Sequence, residues 1–133
     1  MYYFNEPVSA RIDRRVAIDI LRKSRVKNIS VTFYSRSMIK NLNRKFRGQN
    51  KPTDVLAFAG GDIVICPASA ALNARRYGNS RSAELLYLLI HAACHLRGYD
   101  HSGTADSIRM RAAENKLLAY VRKKYKIQIV GRI

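Results

Sequence analysis

Every histidine of this 133-residue chain falls in one stretch, HAACHLRGYDH, residues 91–101. His91 and His95 stand four apart, and on a helix that spacing puts two side chains on one face. Gly98 lets the chain leave the helix with a positive φ, which gives His101 the slack to swing back as a third nitrogen. Three neutral imidazoles and one water make a catalytic zinc arrangement, tetrahedral with one open position. Cys94 is the one available fourth ligand for a closed, structural site, but its neighbours in LLIHAAC are apolar and fit a core thiol better. The plainer alternative is that His91 and His95 share helical spacing by chance, since a bare HxxxH is a weak signal. Asp100, beside His101, can orient a ring nitrogen, cap the next helix or face water.

The residue after His91 narrows the chemistry. A zinc peptidase of the HExxH type carries its general-base glutamate there; this chain has Ala92. A phosphodiester can offer oxygens to take the proton of an attacking water, and a peptide offers less. The pattern therefore tilts toward phosphodiester hydrolysis.

Charge points the same way. Lys and Arg number 25 against 9 acidic residues, a formal net charge of +16 spread along the chain. A field of that sign favours a polyanion, and nucleic acid is the first candidate. No apolar run approaches the length of a membrane span. The first residues, MYYFNEPVSARIDRR, lack a secretion signal's charged start and apolar run. Cys66 and Cys94 sit in apolar runs, which fits buried, reduced thiols and a cytoplasmic setting.

The apolar pattern alternates between two periods, as a chain mixing helices and strands requires. A first strand is expected at Tyr2–Val8. A helix capped by Ser9 then runs to about Ser24, with Ile12, Val16, Ala17, Ile20 and Leu21 inward. Strands follow at Ile29–Tyr34, Val55–Phe58 and Asp62–Cys66, the last two joined through Gly60-Gly61. A helix capped by Ser35 or Ser37 runs to about Phe46, with Met38, Ile39, Leu42 and Phe46 inward, and ends at Gly48. Another starts at Pro67 and closes near Gly78. The helix carrying His91 and His95 is capped by Ser80 or Ser82 and stops at Gly98. A last helix spans about Thr104–Lys124, and KIQIVGRI is a terminal strand or a loose tail. The class is α+β or α/β. The length fits one domain, residues 1–133.

A second motif is NLNRKFRGQNKPTDVLAF, residues 41–58. Arg44, Lys45, Arg47 and Lys51 crowd a helix end and the turn after it. Cations there complement the helix C-terminus; an arginine fork is equally suited to a phosphate.

NRKFRGQNKPTDVLAF, then GDIVIC, then HAACHLRGYDH resemble, in order and spacing, the signatures of the YbeY family of rRNA-maturation endoribonucleases. The likeness runs from about Val31 to Glu114. It implies an α+β fold, a small mixed β-sheet with helices packed around a metal-binding cleft. It implies a single-strand-preferring endoribonuclease that depends on one zinc ion and acts in small-subunit rRNA maturation and ribosome quality control. The implied partner is RNA, an rRNA precursor, with small-subunit ribosomal proteins as further candidates. The metal ligands fall on His91, His95 and His101. The functional arginine falls on Arg47, which would bind phosphate and stabilise charge developing on it. Glu114 is expected to be structural.

The chain departs from the family pattern at several points. Ala92 stands where glycine is usual. Cys94 and Arg97 replace apolar residues, and Arg97 is a candidate further phosphate contact near the metal. Ala57 and Ala59 replace a serine and a proline. The loop before GDIVI is only AGG, which should open or reshape one cleft wall. Two alternatives stand beside the nuclease reading: a non-catalytic, ribosome-associated RNA-binding protein, and a zinc metallopeptidase, which Ala92 disfavours.

Overall fold

The computed structural model describes residues 1–5, 11–100 and 102–132. Its strands are β1 (Tyr2–Asn5), β2 (Ile29–Phe33), β3 (Val55–Phe58) and β4 (Asp62–Ile65). Its helices are α1 (Arg14–Lys23), α2 (Arg36–Arg47), α3 (Pro67–Tyr77), α4 (Arg81–Leu96) and α5 (Thr104–Tyr125). The strands form one mixed sheet in the order β1-β2-β4-β3. β1, β2 and β4 run parallel, and β3 alone pairs antiparallel, with β4. The fold is α+β.

Alternation along each strand sorts residues between two layers. Ile29, Val31 and Phe33 of β2 and Ile63 and Ile65 of β4 enter the large core, which α1, α4 and α5 fill. Val64 and Cys66 point to the opposite face, where they meet Leu56 of β3 and Ile39 of α2. β4 is covered on both faces and so reads as an unbroken apolar run. α4 is the centre of the large core. From Ala83 to Cys94 every residue except His91 is buried, as a helix that is apolar all round must be.

The short-range signals act as the sequence predicts. Ser35 caps α2 by accepting from the Met38 amide at 3.3 Å, and Ser80 caps α4 by accepting from Ala83 at 3.0 Å. Gly48 and Gly78 close α2 and α3 in the left-handed conformation. The turn between β3 and β4 depends on Gly61. Its φ is 99°, and a Cβ there would lie 2.5 Å from the Asn28 carbonyl oxygen, so glycine is required.

Four expectations need correction or qualification. β1 ends at Asn5, and the rest of the expected strand lies outside the described residues. So does Ser9; α1 begins later, with Asp13 as its cap, accepting from the Val16 amide at 3.3 Å. Met38 and Phe46 of α2, expected inward, are 48% and 54% exposed. Among the described residues none from another helix joins α2's cluster, so only the stripe facing the sheet is covered by them. The C-terminal segment forms no strand among the described residues, yet it is not loose. The Asn79 side chain bonds both the amide and the carbonyl of Val130, at 2.7 and 2.9 Å. Arg122 donates to the Ile129 carbonyl, and Arg132 pairs with Glu84. No helix among the described residues is long and apolar enough to cross a membrane.

Candidate active site

One cleft of about 690 Å³ collects the chemistry. Its floor is the end of α4, with His91, Ala92 and His95, and its wall is the segment Thr53–Ala57 leading into and along β3. Arg47, the last residue of α2, and Asp100 complete it. Sequence segments more than thirty residues apart thus converge because β3 is an edge strand packed against α4.

The two imidazoles stand together, their ring centroids 4.7 Å apart and their planes at 86°. Nδ1 of His91 lies 2.6 Å from Oε2 of Glu114. A carboxylate only accepts, so this contact puts a proton on Nδ1, and when the ring is neutral, the form that can hold a metal, its lone pair is on Nε2. Glu114 is itself held: the Tyr87 hydroxyl donates to Oε1 at 3.0 Å and Arg111 donates to the same oxygen at 3.1 Å. Burial alone would push this carboxyl up. The hydrogen bond and charge of His91, the Tyr87 hydroxyl and Arg111 outweigh it and hold the group below its ordinary value. Burial first, and then the Glu114 charge, push the Tyr87 phenol above its ordinary value, so Tyr87 stays a donor.

Arg47 is fixed on the opposite wall. Its Nη2 donates to the Ala57 carbonyl of β3 at 2.7 Å, and its guanidinium lies 5.5 Å from the Phe58 ring centroid. Asp54 accepts from Asn73 at 2.8 Å. Asp100 accepts from both the amide and the hydroxyl of Ser102, at 3.0 and 2.7 Å, forming a turn ahead of α5. The N-cap of α5 is Gly103, not Asp100.

The structure brings His91, His95 and Arg47 to one cleft. His101 lies outside the described residues. Among the described residues no group of three or more His, Cys, Asp or Glu side chains is placed to hold a metal ion. The two histidines fit such an ion through their donor chemistry: both line the cleft, and buried Glu114 occupies Nδ1 of His91 and leaves Nε2 as that ring's donor atom. Cys94 is no fourth ligand. It is 3% exposed and lines a different cavity, and burial, then the Glu114 charge, push its thiol up to about 12.

Arg97 is not near the cleft. It donates to the Ser24 carbonyl at 2.8 Å, beyond the end of α1. Two residues past His95 on a helical path, it points to the far side of the helix. Glu114 is the residue the sequence undervalues. Its signal is a lone acid in the otherwise apolar buried stripe of Met110, Leu117, Leu118 and Val121 on α5. Such a charge is buried only if paired.

Comparison with known proteins gives concordant results. The Endoribonuclease YbeY family profile matches residues 8–122. A protein of Finegoldia magna called Endoribonuclease YbeY is 33% identical over 130 residues, 88% of this chain and 85% of its own. A Desulfitobacterium hafniense protein of the same name is 34% identical over 123 residues, 79% of this chain and 78% of its own. A solution structure of a Thermotoga maritima protein superposes with a TM-score of 0.65 at 31% identity. The match covers 95% of this chain and 92% of that one.

Proposed function

This chain belongs to the YbeY family of endoribonucleases, and on that premise we propose that it cleaves single-stranded RNA with the help of one zinc ion, in the maturation of small-subunit rRNA. The observation that carries the reading is the pairing across one cleft of His91 and His95, oriented from behind by Glu114, with Arg47 on the facing wall.

His91, His95 and His101 would hold the ion. The chemistry a zinc ion supplies is Lewis acidity, which draws charge from an attacked phosphate and eases the deprotonation of water. Glu114 keeps the His91 ring in one orientation and one tautomer. Arg47 meets the scissile phosphate with the N–H groups not engaged by Ala57, and its fixed positive charge favours the more negative transition state. Phe58 and the Ala57 carbonyl hold Arg47 in place. Ala92, standing where an HExxH peptidase carries its general-base glutamate, supports a phosphodiester over a peptide as substrate. The free, buried Cys66 and Cys94 support a cytoplasmic setting. An rRNA precursor is the substrate in this reading.

The test is cleavage of a small-subunit rRNA precursor by the purified protein, before and after complete metal removal, with metal analysis of wild type and His101→Ala. Metal-dependent cleavage and loss of bound zinc in the variant are expected. Unchanged cleavage after metal removal would defeat the mechanism, and binding without cleavage would leave the RNA-binding alternative.

A further inference from the structure

Helix α2 carries Arg36, Lys40, Arg44, Lys45 and Arg47 and no acidic residue. Arg36, Lys40, Arg44 and Arg47 follow one another at four, four and three residues. On a helix these positions form one stripe, with a rise of about 6 Å per four-residue step. The side chains of Arg36, Lys40 and Arg44 have no ion-pair or hydrogen-bond partner among the described residues. Like charges four apart weaken a helix, and a polyanion laid along the stripe reverses that sign. The stripe ends at Arg47, inside the cleft.

A second observation sits at the same end. Phe46 is 54% exposed although it is a large apolar side chain. Its ring packs edge-on against Phe58, centroids 5.4 Å apart, and Lys45 lies 5.4 Å from it. A presented aromatic face beside a row of cations is the combination by which proteins hold single-stranded nucleic acid without reading its sequence.

We propose that α2 is the track by which single-stranded RNA enters the cleft. Arg36, Lys40 and Arg44 contact successive phosphates, Phe46 stacks a base at the cleft mouth, and the strand passes to Arg47. The inference rests on the endoribonuclease reading and adds to it the route of the strand.

The experiment uses fluorescently labelled dodecauridine, the full chain, and excess chelator so that nothing is cut. Binding is followed by anisotropy over a range of salt. Lys40→Gln with Arg44→Gln is compared with a charge-matched pair on α5, Lys116→Gln with Lys123→Gln. The α2 pair should reduce the slope of log affinity against log salt by about 1.4, from roughly 0.7 for each lost single-strand contact. The α5 pair should keep the wild-type slope. Phe46→Ala should weaken binding roughly tenfold with its slope unchanged. Equal slope changes in the two pairs, or none in either, would overturn the track. So would equal binding of a fully double-stranded competitor with the same dependence on Lys40 and Arg44. Cleavage with metal restored is scored separately on wild type, so failure of the nuclease reading is distinguishable from failure of the track.

Discussion

Glu114 reaches across from α5 to His91 on α4, carboxylate to Nδ1 at 2.6 Å, with only 1% of its side chain exposed. A charged group sealed that deeply is a fixed reference for the ring it touches. Glu114→Gln keeps the shape but removes the obligate acceptor, because an amide can also present its NH2 to Nδ1. Zinc affinity should fall about 10- to 100-fold while helical content stays at the wild-type level. Competition with a chromogenic chelator measures the first and circular dichroism the second.

Arg47→Ala should lower kcat/KM for RNA cleavage by about 10²- to 10³-fold, the range for losing one preorganised donor to the transition state. Arg47→Lys should recover only part of this. It restores a charge but not the planar fork that reaches Ala57 and phosphate together. Thermal stability should change little in either variant, since Arg47 is exposed.

Glu84 is fully buried inside α4 and is neutralised by Arg132, whose guanidinium stacks 3.5 Å from the Tyr77 ring centroid and 4.1 Å from that of Tyr87. Arg132→Met leaves a buried, unpaired carboxylate and should destabilise the fold by about 3–5 kcal/mol in urea denaturation. Adding Glu84→Gln to that variant should recover a large part of the loss. Simple additivity of the two substitutions would show that they are not a pair.

Asp19 on α1 ties down the end of α5. It accepts from Lys124 at 2.8 Å, Tyr120 at 2.9 Å and Tyr125 at 2.5 Å. Burial opposes its charge, but hydrogen bonds from Lys124, Tyr125 and Tyr120 outweigh it and lower its pKa from 3.8 to about 2. Because the folded value is the lower one, the contribution is complete above about 4 and fades as pH falls toward about 2. Asp19→Asn should lower Tm by about 4 °C at pH 6, and the gap to wild type should close progressively below pH 4. A gap independent of pH would mean that the aspartate acts through packing alone.

How much of this the sequence discloses follows the range of the interactions. Helix caps such as Ser35 and Ser80 and stops such as Gly48 act within a few residues, so spacing exposes them. The pairing of His91 with His95 is equally local. Glu114 is 23 residues from its partner in the chain and meets it only once α5 crosses α4, so its role is hidden behind a plausible place in a helix. Phe46 fails for another reason. Its period puts it on the apolar side, but period does not reveal that the small cluster under α2 lacks a second helix to close over that side. Arg97 lies next to the histidines in sequence, yet helical rotation carries it to the end of α1.

The burial of α4 on every side has a consequence for motion. Its amides should be among the slowest in the molecule to exchange with solvent, opening only when the whole chain unfolds. His91 therefore rides on the least deformable part of the protein, with His95 in the turn that follows, whereas Arg47 stands at the end of a helix held on one side only. Any breathing that admits a long polymer and lets its halves depart would then come from the arginine wall, with the floor that carries His91 standing still.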